Sequence, residues 1–326
     1  MHRSTWRNPA PLPLVAFWLP VFLAPATLAA QTGDLKKDVR DLDIRHRTEH
    51  YEIAGTVSQD RLEEYGRCLE YIHAEYARGF EELIGGKDVG THPESPSKTR
   101  SKPVNPPKPD PSVEQPDRFK VVVFADGPSY EQFTRSYFRG QAEHTRGLFV
   151  PGVDLLLIRD EPNSSETYEI LFHEAFHQFV DRFIPHTPIW LNEGLATHYG
   201  TARPTSTGLA FDRPRNEYCR IVSSAASLAR LIPFDEMFDA DSHRFYNSEK
   251  IDGVDFDRRL LSYSQAYTLV AYMLFDEDGR LHIRNYMRKL AEAKSGKEAA
   301  AATREFFPPN LQERLVPAWL EFVRRH

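Results

Sequence analysis

At 326 residues the chain is long enough for one large domain or two small ones, with an ample core in either case. Its composition, 40% hydrophobic and 27% charged, is that of a globular protein rather than a disordered or fibrous one. A formal net charge of -6, with mixed signs and no basic stripe, excludes nucleic-acid binding as a function class.

The first thirty residues stand apart from the rest. Arg3 and Arg7 precede an apolar run from Leu12 to Leu23, and small residues follow at Ala24, Ala26, Thr27, Ala29 and Ala30. That order predicts a secretory signal peptide over residues 1–30, cleaved after Ala29 or Ala30, and hence a secreted or periplasmic protein. As a membrane anchor the run is short and is broken by Pro13 and Pro20. No later stretch approaches eighteen apolar residues, so no membrane span is expected after cleavage. An exported chain meets an oxidising compartment, where Cys68 and Cys219 either pair or remain two buried thiols.

Residues 31–48 are polar and read as loosely held, and His50 to Gly55 alternates as a short strand. Ser58 caps a long amphipathic helix carrying Leu62, Tyr65, Leu69, Ile72, Tyr76, Phe80 and Leu83, ended by Gly85-Gly86. From 91 to 117, eight prolines punctuate lysines, serines and acids with hardly an apolar residue. Such a segment buries too little surface to offset its ordering entropy, so it reads as a disordered surface insertion. Phe119 to Ala125 is a buried strand and Ser129 to Phe138 a helix. Gly147–Val150 and Asp154–Ile158 form two strands joined by a turn.

A helix then runs from about Tyr168 to Asp181, with Asn163 and Glu166 as a capping pair, until Pro185 stops it. Trp190 to Tyr199 is a second helix, and 200–217 a polar loop. The remainder is mostly helical: one helix opened by Ser262 and Gln265 as a capping box and ended by Gly279, one from Arg284 to Lys294 closed by Gly296, and one from Leu311 to Arg325 bent at Pro317. No internal repeat is visible. Strand and helix, then strands, then helices is the order of an α+β fold with a small mixed sheet and a mostly helical C-terminal part.

The chemistry gathers on the Tyr168–Asp181 helix. His173, Glu174 and His177 spell His-Glu-x-x-His, which places two imidazoles one turn apart on one face, where a single tetrahedral metal takes both. Two histidines do not complete a catalytic zinc site. Glu193, sixteen residues on and set among Trp190, Leu191, Leu195 and Ala196, is the candidate third ligand, because a carboxylate in such company is paired or metal-bound. Asp181, one further turn along the first helix, is a rival ligand or a partner to one. His198 is another rival or a half-buried histidine, and His186 lies in the turn. His144, His243 and His282 have no ligand-like neighbours.

His173-Glu-Ala-Phe-His177 followed by Pro188-Ile-Trp-Leu-Asn-Glu-Gly-Leu-Ala196 resembles the gluzincin metallopeptidases, relatives of thermolysin and the M1 aminopeptidases, and more narrowly a bacterial branch often called peptidase-MA-like. The short gap between the motifs suits that branch, and the likeness covers roughly residues 45–326 apart from the insertion. The Gly-x-Met-Glu-Asn element of the M1 enzymes is absent, so exopeptidase action is not implied. The resemblance implies one zincin-like peptidase domain over 31–326. In it one Zn²⁺ on His173, His177 and Glu193 serves a peptide or protein substrate, and Glu174 is the general base. It also implies a further hydrogen-bond donor, for which Tyr263 is the candidate with Tyr267 and His198 in reserve, and an edge strand at Gly147–Val150 for an extended peptide. Two other readings stay open: a catalytically silent binding or scaffold protein of the same fold, and a zinc amidase acting on a cell-wall crosslink.

Overall fold

The computed structural model describes residues 35, 38, 43–84, 118–138, 145–161, 165–211 and 216–326. The signal peptide expected at 1–30 and the insertion expected at 91–117 lie outside the described residues, as do His144 and Asn163. Within them the chain is a mixed α and β structure. Its sheet holds β1 (Ile44–Arg47), β2 (Tyr51–Gly55), β3 (Phe119–Phe124), β4 (Gly147–Val150) and β5 (Leu155–Arg159) in the order β1-β2-β3-β5-β4. The central strands β2, β3 and β5 are parallel, and β1 and β4 flank them antiparallel.

The alternation of strand side chains explains the layering. Ile53, Val121, Val123, Leu156 and Ile158 point to one face, under helices α1 (Gln59–Ile84) and, later in the chain, Ser165–Phe183. Ala54, Val122, Phe124, Leu155 and Leu157 point to the other, against α2 (Gly127–Phe138) and Leu35. Because both faces are covered, β3 can be a nearly unbroken apolar run. The order β1 imposes on Ile44–Arg47 corrects the reading of 31–48 as loose: its side chains are half exposed, so its pattern is weak, and pairing with β2 holds it.

After β5 come α3 (Ser165–Phe183) and α4 (Ile189–Gly200), then β6 (Ala202–Thr205) and β7 (Gly208–Phe211). These two strands form a hairpin where the sequence reads as an irregular polar loop; it is mostly solvent-facing, and only Ala202 is fully buried. The rest is helical: α5 (Asn216–Ser227), α6 (Phe234–Phe238), α7 (Ser242–Phe245), α8 (Arg258–Phe275), α9 (Glu277–Glu292), α10 (Gly296–Phe306) and α11 (Pro309–Arg325), the last running through Pro317.

Helix boundaries in this half differ from the sequence reading for identifiable reasons. Asp257, not Ser262, caps α8, accepting from Leu260 N at 2.8 Å. Ser262 lies inside the helix and returns its hydroxyl to Arg258 O, while Gln265 spans the helix surface to both the N–H and C=O of Ile232. Asp276 stops α8 and caps α9 through Gly279 N, so that glycine sits in a first turn rather than at an end. Gly296 likewise opens α10 behind the Ser295 cap instead of closing α9.

Cys68 and Cys219 are free, buried thiols and form no disulfide. Burial pushes them up to about 12 and about 11, so neither is a nucleophile. Among the described residues no helix is long and apolar enough to cross a membrane.

One polar clamp fixes α1 to the start of α3. Asp160, just past β5, accepts from Arg61 Nη2 at 2.6 Å and from Tyr65 Oη at 2.5 Å, and Arg61 also reaches Glu64 and Tyr168. Asp160→Ala would leave the buried Tyr65 hydroxyl without its acceptor and take from Arg61 one of its two carboxylate partners, Glu64 remaining. Arg61 is 27% exposed and keeps Glu64, so the cost is chiefly that of the unmatched buried hydroxyl, about 1–3 kcal/mol. Urea unfolding should record that loss as a lower midpoint; an unchanged midpoint would show that the clamp adds nothing.

Candidate metal centre

Helix α3 turns Leu171, Phe172, Ala175, Phe176, Phe179 and Val180 into the core, which leaves His173, Glu174 and His177 on the face toward α4 and β4. Phe183 is its last residue, ahead of Pro185, and Pro188 starts the next helix, its carbonyl accepting from Leu191 N and Asn192 N. Helix α4 then returns along α3, with Gly200 at its far end lying against Glu169 and the Cβ of His173. On its other side α4 presses on α8. A Cβ at Gly194 would stand 2.7 Å from Ala266 O and 2.8 Å from Val270 Cγ2, so only glycine permits this approach.

The return brings Glu193, fully buried, to both histidines. His173 Nε2 is 3.4 Å from Glu193 Oε2, and His177 Nε2 is 3.7 Å from Glu193 Oε1. The imidazoles are nearly perpendicular, with ring centres 4.7 Å apart, and one donor atom from each of the three residues lies within 4.8 Å of the others. His177 donates from Nδ1 to Asn192 Oδ1 at 2.9 Å, a bond that fixes the ring and leaves the Nε2 lone pair for the centre. Glu193 Oε1 accepts from Tyr246 Oη at 2.5 Å. His173 Nε2 and Glu193 Oε2 are buried with no hydrogen-bond partner. Buried polar atoms of this kind call for a missing partner, and two imidazole nitrogens with one carboxylate oxygen are the donor set of a divalent zinc-like ion. The residues fit such an ion.

Glu174 stands beside this group without belonging to it. Its Oε2 accepts from Phe149 N at 2.9 Å. Strand register explains why that N–H is available. Arg146 O accepts from Arg159 N, so Leu148 and Val150 exchange bonds with β5 while the peptide groups of Gly147 and Phe149 face outward from the sheet edge. Gly147 also sets how close α3 comes, since an added Cβ would lie 2.3 Å from Ile170 Cγ2 and 3.3 Å from Glu174 Cγ.

Burial dominates the electrostatics. It lifts the Glu174 carboxyl to about 7 against the pull of His173 and the Phe149 N–H, and it pushes His177 down to about 4 despite Glu193. Burial also opposes charge on His173 and Glu193, yet their mutual attraction wins: His173 is raised and Glu193 lowered. A cation held there would take the place of the His173 proton.

Tyr263 sits in the second turn of α8, not the first, because that helix starts at Arg258. Its hydroxyl is buried and has no hydrogen-bond partner. Burial raises its pKa well above the ordinary value, with Glu193 and Glu174 adding to the rise. The rival residues fall elsewhere. Asp181 is outside the donor group and half-buried near Asp154. His198 stacks on Phe211 with ring centres 5.5 Å apart, Tyr267 packs on Tyr218, and His243 is exposed.

A second group, His50, Glu70 and His73, also clusters. There His50 bonds both Glu70 oxygens, through N at 2.8 Å and Nδ1 at 2.7 Å, and stacks on His73 with ring centres 3.8 Å apart at 21°. Nearly parallel rings aim their nitrogens alongside one another rather than at one point, so this group is a hydrogen-bonded stack.

Tyr246 and the Phe149 N–H escape the sequence reading. Tyr246 closes a four-residue helix with no motif, and a backbone donor has no sequence signature at all. Asn192 directly precedes Glu193, and its polarity within an otherwise apolar helix start was the available signal. No protein-family model matches this chain, and no curated protein matches it.

Proposed function

We propose that the protein is a secreted or periplasmic zinc-dependent peptidase of the gluzincin type, built on a zincin-like fold. The single observation that carries this reading is Glu174, a buried carboxylate held beside the His173–His177–Glu193 group and outside it. A purely structural metal site has no use for a fourth, uncommitted acid at that position.

Zn²⁺ held by His173 Nε2, His177 Nε2 and Glu193 would polarise a substrate carbonyl and acidify water at neutral pH. The chain supplies the rest. Glu174 takes a proton from the attacking water and delivers it to the leaving amine nitrogen, while the Phe149 N–H holds its Oε2 in place. Asn192 keeps His177 in the tautomer that presents Nε2 to the centre. Tyr263, with its unpartnered buried hydroxyl, donates to the oxyanion that develops on the scissile carbonyl. An extended peptide adds to the outer side of β4, where the Gly147 N–H and the Gly147 and Phe149 carbonyls point away from the sheet, the Phe149 N–H being engaged by Glu174.

The purified mature protein should therefore cleave casein or a mixed peptide library, stop when a chelator is added and resume with Zn²⁺. Zinc uptake without cleavage of any peptide would instead favour a silent scaffold of the same fold, and cleavage insensitive to chelators would remove the metal from the mechanism.

A further inference from the structure

A carboxylate can offer a metal one oxygen or two, and a buried one with neither oxygen bonded is costly to maintain. In Glu193 the two oxygens are already distinguished. Oε1 accepts from Tyr246 Oη at 2.5 Å, whereas Oε2 has no hydrogen-bond partner and faces His173 Nε2 at 3.4 Å. The donor comes from 53 residues further along the chain. It is held where it is by the Asp241 cap on α7, which accepts from Arg244 N at 2.9 Å, and by Phe245, whose buried ring meets the Tyr263 ring edge-on at 5.3 Å.

Resting on the metal reading above, we infer that Tyr246 is a positioning residue of the centre: its hydroxyl occupies Glu193 Oε1, locks the carboxylate rotation and leaves Oε2 as the one donor oxygen. Tyr246 does not touch substrate. It acts through Glu193, in the way an outer hydrogen-bond partner orients a metal-binding side chain, an effect commonly worth about 10- to 100-fold in metal affinity.

Tyr246→Phe keeps the ring and removes only the hydroxyl. Competition for Zn²⁺ between the full mature protein and a chromophoric chelator should show affinity weakened by about 10-fold or more in this variant, and the thermal midpoint should fall as well, because the buried Glu193 then has neither oxygen hydrogen-bonded. Wild-type affinity in Tyr246→Phe, whether or not the midpoint falls, overturns the inference, since a fall in midpoint alone marks a hydroxyl that serves packing. Wild-type protein that takes up no Zn²⁺ overturns the metal reading together with this one, so the two failures are distinguishable.

Discussion

Glu174→Gln is expected to fold and to load metal like the wild type, while losing peptide hydrolysis by about 10²- to 10⁴-fold, the range of a general base. The side chains have the same shape, and the glutamine carbonyl oxygen can still accept from Phe149 N as Glu174 Oε2 does at 2.9 Å. What disappears is the ability to take a proton. Because Glu174 lies outside the donor group, zinc content should not follow activity downward. Measuring kcat/KM on one cleaved peptide together with bound zinc separates the two properties, and full activity in this variant would end the case for Glu174 as the base.

Glu193→Ala should do the reverse and empty the centre. Bound zinc is expected to fall from about one per chain to a small fraction of that, because two histidines alone make an incomplete site. Stability should fall as well, for a reason independent of metal. The substitution strips the acceptor from the Tyr246 hydroxyl and the counter-charge from His173, both inside the protein. Leaving such groups unmatched costs about 1–3 kcal/mol each. Elemental analysis and a urea titration of metal-free protein would read the two effects separately. Zinc retained at the wild-type level would pass the third position to another group.

How much of this was legible in the sequence follows from what each signal depends on. His173 and His177 need only helical periodicity, and Glu193 only an acid in an apolar helix, so the three donors could be named before their geometry was known. The core strands and α1 were legible because burial on one face or two imposes a period on apolar residues. The hairpin β6–β7 was not, since it buries almost nothing and so carries little periodic constraint. Capping patterns were the least reliable guide. Ser262 and Gln265 have the spacing of a capping box, yet Asp257 opens the helix and Gln265 serves the backbone of Ile232. Tyr246 and the Phe149 N–H depend on how distant segments meet, and no local pattern encodes that meeting.

Gly147 and Gly194 stand on opposite flanks of the centre, one where α3 meets β4 and the other where α4 meets α8. At Gly194 an added methyl would meet the Ala266 backbone of α8, whereas at Gly147 it would meet side chains, Ile170 Cγ2 nearest. Packing built from long side chains gives way by rotamer changes, but a helix resting its own backbone on a neighbour has no such freedom. Gly194 thus acts as a fixed gauge block: it sets how close α4 lies to α8, and a wedge there would shift a whole helix, whereas one at Gly147 would be met first by the side chains of Ile170 and Glu174.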